Sequence, residues 1–457
     1  MRQHGSRAFL PPFLPAIRRR KPQQLLASPA TRRNLRNTRA PSVLLASKPH
    51  QQPFRSAHSP IHLPYTGAMG YKTYTCPIAK RCGGCELLAV PYELQLKRKQ
   101  QAMEQLFEHI VEQDNATLEP IRGMEDPLAY RYKAASPYAP GKRMRCGFYE
   151  RGSHRLAYCK SCLVEAKGLR PILNHIANIA DDLHIPAYAE DRGAGVLRHA
   201  VVRKGYATGQ VLVTIVTNGP QLPQAKELMR RLRRLHPHIT TVVQNTNDRR
   251  TNAILGTRNK TLWGPGVIYD KLLGCTFEIG PTSFYQTNPA QTEVLYELAL
   301  QGIRDASTLL DAYCGTGTIG ICAASQARAA GRELRVTGVE QVSNAVGCAR
   351  KNARANELND QCSFVCADAT EWMAQQRQAS FDAVVLDPPR AGSTPEFLQG
   401  VVRLAPKQVV YVSCNPNTQV RDLAVLHEGG YRTERIVPVD MFPHTKHVEC
   451  VCLLSKA

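Results

Sequence analysis

The sequence predicts an α/β protein, with a doubly wound and largely parallel sheet over residues 276–457 and a mixed, mostly β domain over 120–275. Three observations carry this. From about residue 276, apolar runs that end at a polar or small residue alternate with helical stretches. Before that point, short strand-like runs alternate with turns. A glycine-rich turn, DAYCGTGTIG, follows one apolar run and opens a helix.

The chain has 457 residues, enough for two or three domains, and hydrophobic residues make up 43% of it. No apolar run reaches the roughly 18 residues that a membrane span needs, so a protein without a membrane partner is expected. The formal net charge is +22. Residues 1–68 hold twelve Lys and Arg and no acidic residue, while the remainder holds 47 basic against 37 acidic residues. A basic body suits a polyanion such as RNA.

Residues 1–68 are rich in Arg, Pro, Ser and Gln and show no lasting apolar period, as a disordered basic extension would. A start codon assigned too early, with Met69 directly before the first motif, or a dispensable tail is favoured over an organellar transit peptide. The expected compartment is therefore the cytoplasm, and an organelle if the extension is a transit peptide. The fifteen cysteines are too dispersed for a secreted disulfide scaffold and read as thiols in a reducing compartment.

Residues 69–90 form a Cys-rich loop. Residues 91–119 contain a helix whose apolar stripe is Leu94, Met103, Leu106, Phe107 and Ile110, with Pro91 near its start. In 120–275, LRHAVVRK, QVLVTIVTN and ITTVVQNTN read as strands and QAKELMRRLRRL as a basic helix. In 276–457 the strands are STLLDAY, LRVTGVE, CSFVCAD, FDAVVLD and QVVYVSC. Ligands of such domains bind at the carboxyl ends of the strands, and the distinctive residues fall there.

Gly315, Gly317 and Gly320 let the first turn approach a ligand closely. A dinucleotide loop fits the glycines about as well. However, no Lys or Arg lines the turn, which favours a nucleoside without phosphates, such as S-adenosylmethionine. Glu340 ends the second strand, where it can accept from ribose hydroxyls. Asp368 ends the third, placed to meet an adenine.

The fourth strand ends in LDPPRAG and the fifth in SCNPNT. Carbon 5 of uracil is too weak a nucleophile to attack a sulfonium methyl. A thiolate added to carbon 6 makes the ring an enolate that can. Cys414 stands where that thiolate would face the cofactor. After transfer the carbon-5 proton must leave, which needs a base. DMFPHTKHVECVCLL offers His444, His447 and Glu449, and Glu449 starts an apolar strand where a carboxyl with a raised pKa is expected.

In chain order, CPIAKRCGGC, SFYQTNPAQT, DAYCGTGTIG, LDPPRAG, VSCNPNT and HTKHVE resemble the RNA 5-methyluridine (uracil-C5) methyltransferases, over about residues 71–457. The resemblance implies a Rossmann-like class I S-adenosylmethionine-dependent methyltransferase domain and a structured RNA substrate, 23S rRNA ahead of tRNA. It places Gln286, Tyr313, Glu340 and Asp387 around the methyl donor, with Thr318 and Asp368 as neighbours, Cys414 as nucleophile and Glu449 as base. A monomer is expected.

Cys76, Cys82 and Cys85 have the spacing C-x5-C-x2-C, and AYCKSC supplies Cys159 and Cys162. Four thiolates could hold zinc or an iron–sulfur cluster, and spacing alone does not choose. The resemblance selects Cys159 as the fourth ligand and a [4Fe–4S] cluster over zinc. Many relatives carry a small β-barrel RNA-binding domain before the cluster; residues 1–68 show no such strand pattern.

Two other readings compete. One is an amino-group methyltransferase acting through Asp387-Pro388-Pro389. The other is an RNA-binding or assembly protein with a degenerate methyltransferase fold, against which the intact Cys414 and Glu449 argue.

Overall fold

The computed structural model describes residues 72–457; the basic N-terminal extension expected over 1–68 lies outside them. Two large sheets organise the described chain.

In the C-terminal part, five parallel strands run in the spatial order Cys362–Cys366, Arg335–Glu340, Thr308–Ala312, Ala383–Leu386, Gln408–Ser413. The order reverses between Thr308–Ala312 and Ala383–Leu386, which opens a crevice at their carboxyl ends. Glu449–Lys456 then inserts antiparallel between Gln408–Ser413 and Tyr431–Val439. Ala383–Leu386 is buried at every position, as a strand covered on both faces must be.

Thr117–Leu118 adds to this sheet as an edge strand, parallel to Tyr431–Val439. It follows the helix Tyr92–Asp114, whose Met103, Phe107 and Ile110 pack with Leu310, Tyr411, Leu423 and Ile436. The buried stripe of that helix also includes Gln95 and Lys99. Leu94, expected in the stripe, is only half-buried.

The second sheet has seven strands, in the order Leu156–Tyr158, Arg145–Tyr149, Lys133–Ala139, Leu197–Lys204, Val211–Thr217, Ile239–Thr246, Arg258–Trp263. The helices Leu169–Asp182 and Ala225–Leu235 contribute to its core through Ile172, Leu173, Ile176, Leu228 and Leu232. The expected boundary at residue 275 falls inside a hairpin, Ile268–Leu272 with Cys275–Ile279. Leu272, Cys275 and Phe277 bury into the core of the C-terminal sheet, while Ile268 and Ile279 cluster with Leu212 and Val243 of the central sheet, so the hairpin joins the two. Among the described residues no helix is long and apolar enough to cross a membrane.

Candidate active site

A cavity of about 700 Å³ opens at the reversal point of the parallel sheet. Its lining includes Gln286, Tyr313, Thr318, Glu340, Asp387, Cys414 and Glu449. Seven of the eight cofactor-binding and catalytic residues expected from the sequence therefore meet around one space. Asp368 does not line it. Its carboxylate accepts from the N–H groups of Thr370 and Glu371, capping the helix Ala369–Ala374.

On one wall, the glycine turn is held by backbone geometry. Gly317 has φ +77, and a Cβ there would sit 2.8 Å from the Phe364 ring. Gly320 lets the following helix press on its strand, where a Cβ would meet Asp311 at 2.9 Å. Gly320 N–H donates to the Asp311 carboxylate at 2.9 Å. Glu340 accepts from the N–H groups of Gly315 at 3.2 Å and Val342 at 2.7 Å. These bonds fix its carboxylate at the mouth of the turn. Thr318 shares a hydrogen bond of 2.9 Å with the Tyr296 hydroxyl.

Asp311 and Tyr296 also line the cavity and were not singled out from the sequence. Burial pushes the Asp311 carboxyl up to about 7, against the Gly320 bond that lowers it. The signal lay in the motif: an acid inside an apolar strand, nine residues before the glycine that it binds.

On the opposite wall, Cys414 follows the strand Gln408–Ser413. Ser413 and Cys450 are the last paired residues of the antiparallel ladder. Continued by one step, that register brings Cys414 opposite Glu449, and both residues line the cavity. Burial pushes the Glu449 carboxyl up to about 8, helped by the charge of Asp387. Burial likewise pushes Asp387 up to about 7. The Cys414 thiol rises to about 11, through burial first and then the charges of Glu449 and Asp387, with Arg390 opposing. The Pro-Pro loop is tied to the thiol loop, since Asn415 Nδ2 donates to the Arg390 carbonyl at 3.1 Å.

The two histidines separate. His447 lines the cavity, 3.4 Å from the Arg390 guanidinium. His444 is buried away from it, with φ +65, its Nδ1 3.1 Å from Gln95. Its carbonyl accepts from Leu87 N–H at 2.9 Å, which joins the Cys-rich loop to the loop before Glu449. Asn288 and Gln291, from the SFYQTNPAQT segment, point elsewhere. Asn288 Nδ2 donates to the Met441 carbonyl and Gln291 Nε2 to those of Arg122 and Asp440. They brace the site rather than line it.

The cysteines of the first loop converge in part. Gly83, at φ +65, ends the short helix Ala79–Cys82 and turns the chain toward Cys85. Cys82 and Cys85 both feel the charges of Cys76 and Cys162, after burial, and Cys85 rises to about 12. Cys159, the expected fourth ligand, is buried; its thiol is tied to Cys162 and donates to the Ser161 carbonyl at 3.2 Å. Cys162 thus acts as a neighbouring charge on Cys82 and Cys85, and Cys159 is hydrogen-bonded to Cys162. Among the described residues, no group of three or more His, Cys, Asp or Glu is arranged to hold a metal ion. The expected cluster therefore finds no closed ligand shell in these positions.

Comparison with known proteins agrees with this geometry. The family model described as tRNA (Uracil-5-)-methyltransferase matches residues 274–457. An uncharacterized RNA methyltransferase of Halalkalibacterium halodurans is 40% identical over 389 residues, covering 83% of this chain and 82% of that protein. One from Oceanobacillus iheyensis is 38% identical over 387 residues, covering 83% and 82%. The crystal structure of the Pyrococcus abyssi tRNA (uracil-54, C5)-methyltransferase in complex with S-adenosyl-L-homocysteine is similar at a TM-score of 0.68 and 26% identity, covering 81% of this chain and 85% of that one. The chain belongs to the tRNA (uracil-5-)-methyltransferase family of S-adenosylmethionine-dependent RNA methyltransferases.

Proposed function

We propose that this protein methylates carbon 5 of a uridine in structured RNA, 23S rRNA ahead of tRNA, through a covalent adduct on Cys414. The observation that carries the reading is the meeting of Cys414, Glu449 and Asp387 at one cavity, with the charges of Glu449 and Asp387 felt at the Cys414 thiol.

The residues on the glycine side suit a phosphate-free nucleoside. Glu340, Asp311 and Thr318 offer oxygens, and no Lys or Arg stands on the Gly315–Gly320 turn. Bound S-adenosylmethionine supplies an electrophilic methyl group. The Cys414 thiolate adds to carbon 6 of the uracil, and the ring becomes an enolate with its electron density at carbon 5. Once carbon 5 has taken the methyl group, Glu449 removes the carbon-5 proton. The Sγ–carbon 6 bond then breaks and returns its electron pair to sulfur. A carboxyl whose pKa stands at about 8 is a far better match to this proton transfer at neutral pH than an ordinary glutamate.

The Cys-rich loop takes no part in these steps, since methyl transfer needs no electron. Within the same reading Cys76, Cys82 and Cys85 would have to close up around an iron–sulfur cluster, since their present arrangement is not a closed ligand shell. Cys162 is favoured over Cys159 as the fourth ligand, because Cys162 is the thiol whose charge reaches Cys82 and Cys85.

The test is a transcript carrying 5-fluorouridine. Fluorine at carbon 5 cannot leave as a cation, so elimination stops and a protein–RNA adduct survives denaturing electrophoresis. The adduct should require both S-adenosylmethionine and Cys414. An enzyme that methylates RNA and leaves no adduct would instead be acting on an exocyclic amine.

A further inference from the structure

The cavity has a cationic side that the proposed chemistry does not use. Lys133 and Arg203 are directly opposite each other in the antiparallel ladder between Lys133–Ala139 and Leu197–Lys204. Residues directly opposite project from the same face, and like charges in that position destabilise a sheet. Neither is neutralised. Among the described residues neither makes an ion pair with a carboxylate, and the charge that Lys133 feels is that of Arg203. Burial and that like charge lower the Lys133 ammonium to about 8.

Arg203 is 5% exposed. One arm donates to the Ser283 carbonyl at 2.7 Å, while its Nε finds no partner. The Ser283 bond fixes the guanidinium against the loop that carries Phe284, Tyr285 and Gln286 into the cavity wall. Arg131, two residues before Lys133, lines the same cavity. A small recess of about 10 Å³ behind Gln286 is bounded by Lys133, Arg203 and Lys204, without an acidic residue. That recess holds a water at most, so a larger anion would lie in the main cavity, against Lys133. Phe284, 67% exposed at the same wall, gives the subsite an apolar flank.

We infer that Lys133 and Arg131 at the cavity wall, with Arg203 buried behind Lys133, form a subsite for one phosphodiester of the RNA strand beside the uridine in the cavity. The like-charge pair is unfavourable in the free protein and becomes favourable when a phosphate in the cavity lies against Lys133, with Arg203 behind it. A phosphate is the anion that every RNA substrate brings at fixed distance from its base. The inference rests on the RNA reading given above.

Lys133→Met removes the charge and keeps the stem, and Lys133→Arg restores the charge. Binding is measured against salt with the tRNA or 23S rRNA transcript on which wild type makes 5-methyluridine. Lys133→Met should weaken binding roughly tenfold at moderate salt and reduce the slope of log K against log salt by about 0.7–0.9, one phosphate contact. Lys133→Arg should recover most of both. A single neutral methylphosphonate, moved along the strand around the target uridine, should weaken wild type at one position. At that position it should cost Lys133→Met nothing further. Affinity for S-adenosylhomocysteine should be unchanged, and the melting temperature should hold or rise as the repulsion is relieved. An unchanged salt slope with a folded variant overturns the subsite. So does a loss of S-adenosylhomocysteine affinity without a change in slope, which would assign the cations to the cofactor's carboxylate. A wild type that makes no 5-methyluridine on any RNA overturns the functional reading, and the subsite with it.

Discussion

Glu449 stands across from Cys414 one step beyond the Ser413–Cys450 pair, where the antiparallel ladder ends at the cavity. Register alone puts them side by side, because a shift of one residue would turn Glu449 to the other face of the sheet. The relationship gives each residue a separable test.

Cys414→Ala should abolish turnover and adduct formation while S-adenosylhomocysteine binding stays within about twofold, since the thiol lies on the wall opposite the glycine turn. Calorimetry and a methyl-incorporation assay measure both. Methylation within tenfold of wild type would end the covalent mechanism.

Glu449→Gln should stop the reaction late, after the methyl group has moved. With ordinary uridine RNA the variant should accumulate a methylated protein–RNA adduct that wild type shows only in traces. A merely structural Glu449 predicts no adduct and a loss of about 1–3 kcal/mol of stability, from one hydrogen bond. Denaturing gels and thermal melts on one sample separate the two.

The stability that Glu449 contributes should fall as pH rises from about 4.5 to about 8. Burial raises its carboxyl to about 8. In that window the folded carboxyl holds a proton that the unfolded one has lost, so this group favours unfolding as protons become scarce. Buried histidines such as His199 and His236, lowered to about 4, act in the opposite sense below about 6.5. The effect is therefore read as the difference between melts of wild type and Glu449→Gln, which should widen in favour of the variant as pH rises. Parallel curves for the two proteins would mean that Glu449 is ionised in the fold.

Anaerobically purified protein should be brown, with about four irons per chain, the number set by the cluster type. Cys162→Ala should lower the iron content more than Cys159→Ala does. Stoichiometric zinc without iron, or equal loss from both variants, would count against the assignment.

Lys99→Met should cost about 3–5 kcal/mol, because it leaves a buried carboxylate without its cation. Lys99 Nζ lies 2.6 Å from Asp440 Oδ1, and their side chains are 3% and 0% exposed. The Tyr92 hydroxyl also donates to Asp440, at 2.8 Å. Urea unfolding should show the loss, and Lys99→Met combined with Asp440→Asn should recover more than half of it.

The parallel strands and their ends were legible because a buried strand is an uninterrupted apolar run, and the fold obliges ligands to its carboxyl edge. Hence Glu340, Asp387 and Cys414 could be named, whereas Gln286 and Tyr313 were named only through the resemblance to the uracil-C5 methyltransferases. Asp368 has the same kind of position, but sequence does not distinguish a strand-end carboxylate that meets a ligand from one that caps the next helix. Cys159 and Cys162 differ by three places in one short loop, and spacing alone does not choose between them as the partner of Cys82. Gln95 and Lys99 were missed because polarity hides burial. Their partners, His444 and Asp440, are 349 and 341 residues away. The Lys133–Arg203 pair depends on sheet register, which neither strand encodes alone.

The edge strand Thr117–Leu118 and the helix before it have a consequence for how the catalytic half becomes a folding unit. Residues 274–457, the span that matches the family model, should not be self-sufficient. Cut away from residues 92–118, that fragment would present the backbone of Tyr431–Val439 unpaired along the stretch that Thr117–Leu118 covers. It would also hold Asp440 without Lys99. An uncovered strand invites pairing with another chain, and the fragment should aggregate rather than bind cofactor. The central sheet is thus an insertion between two sequence-distant pieces of one catalytic body. That body closes through contacts between residues separated by roughly a hundred and fifty positions or more, the long sequence separation that slows folding.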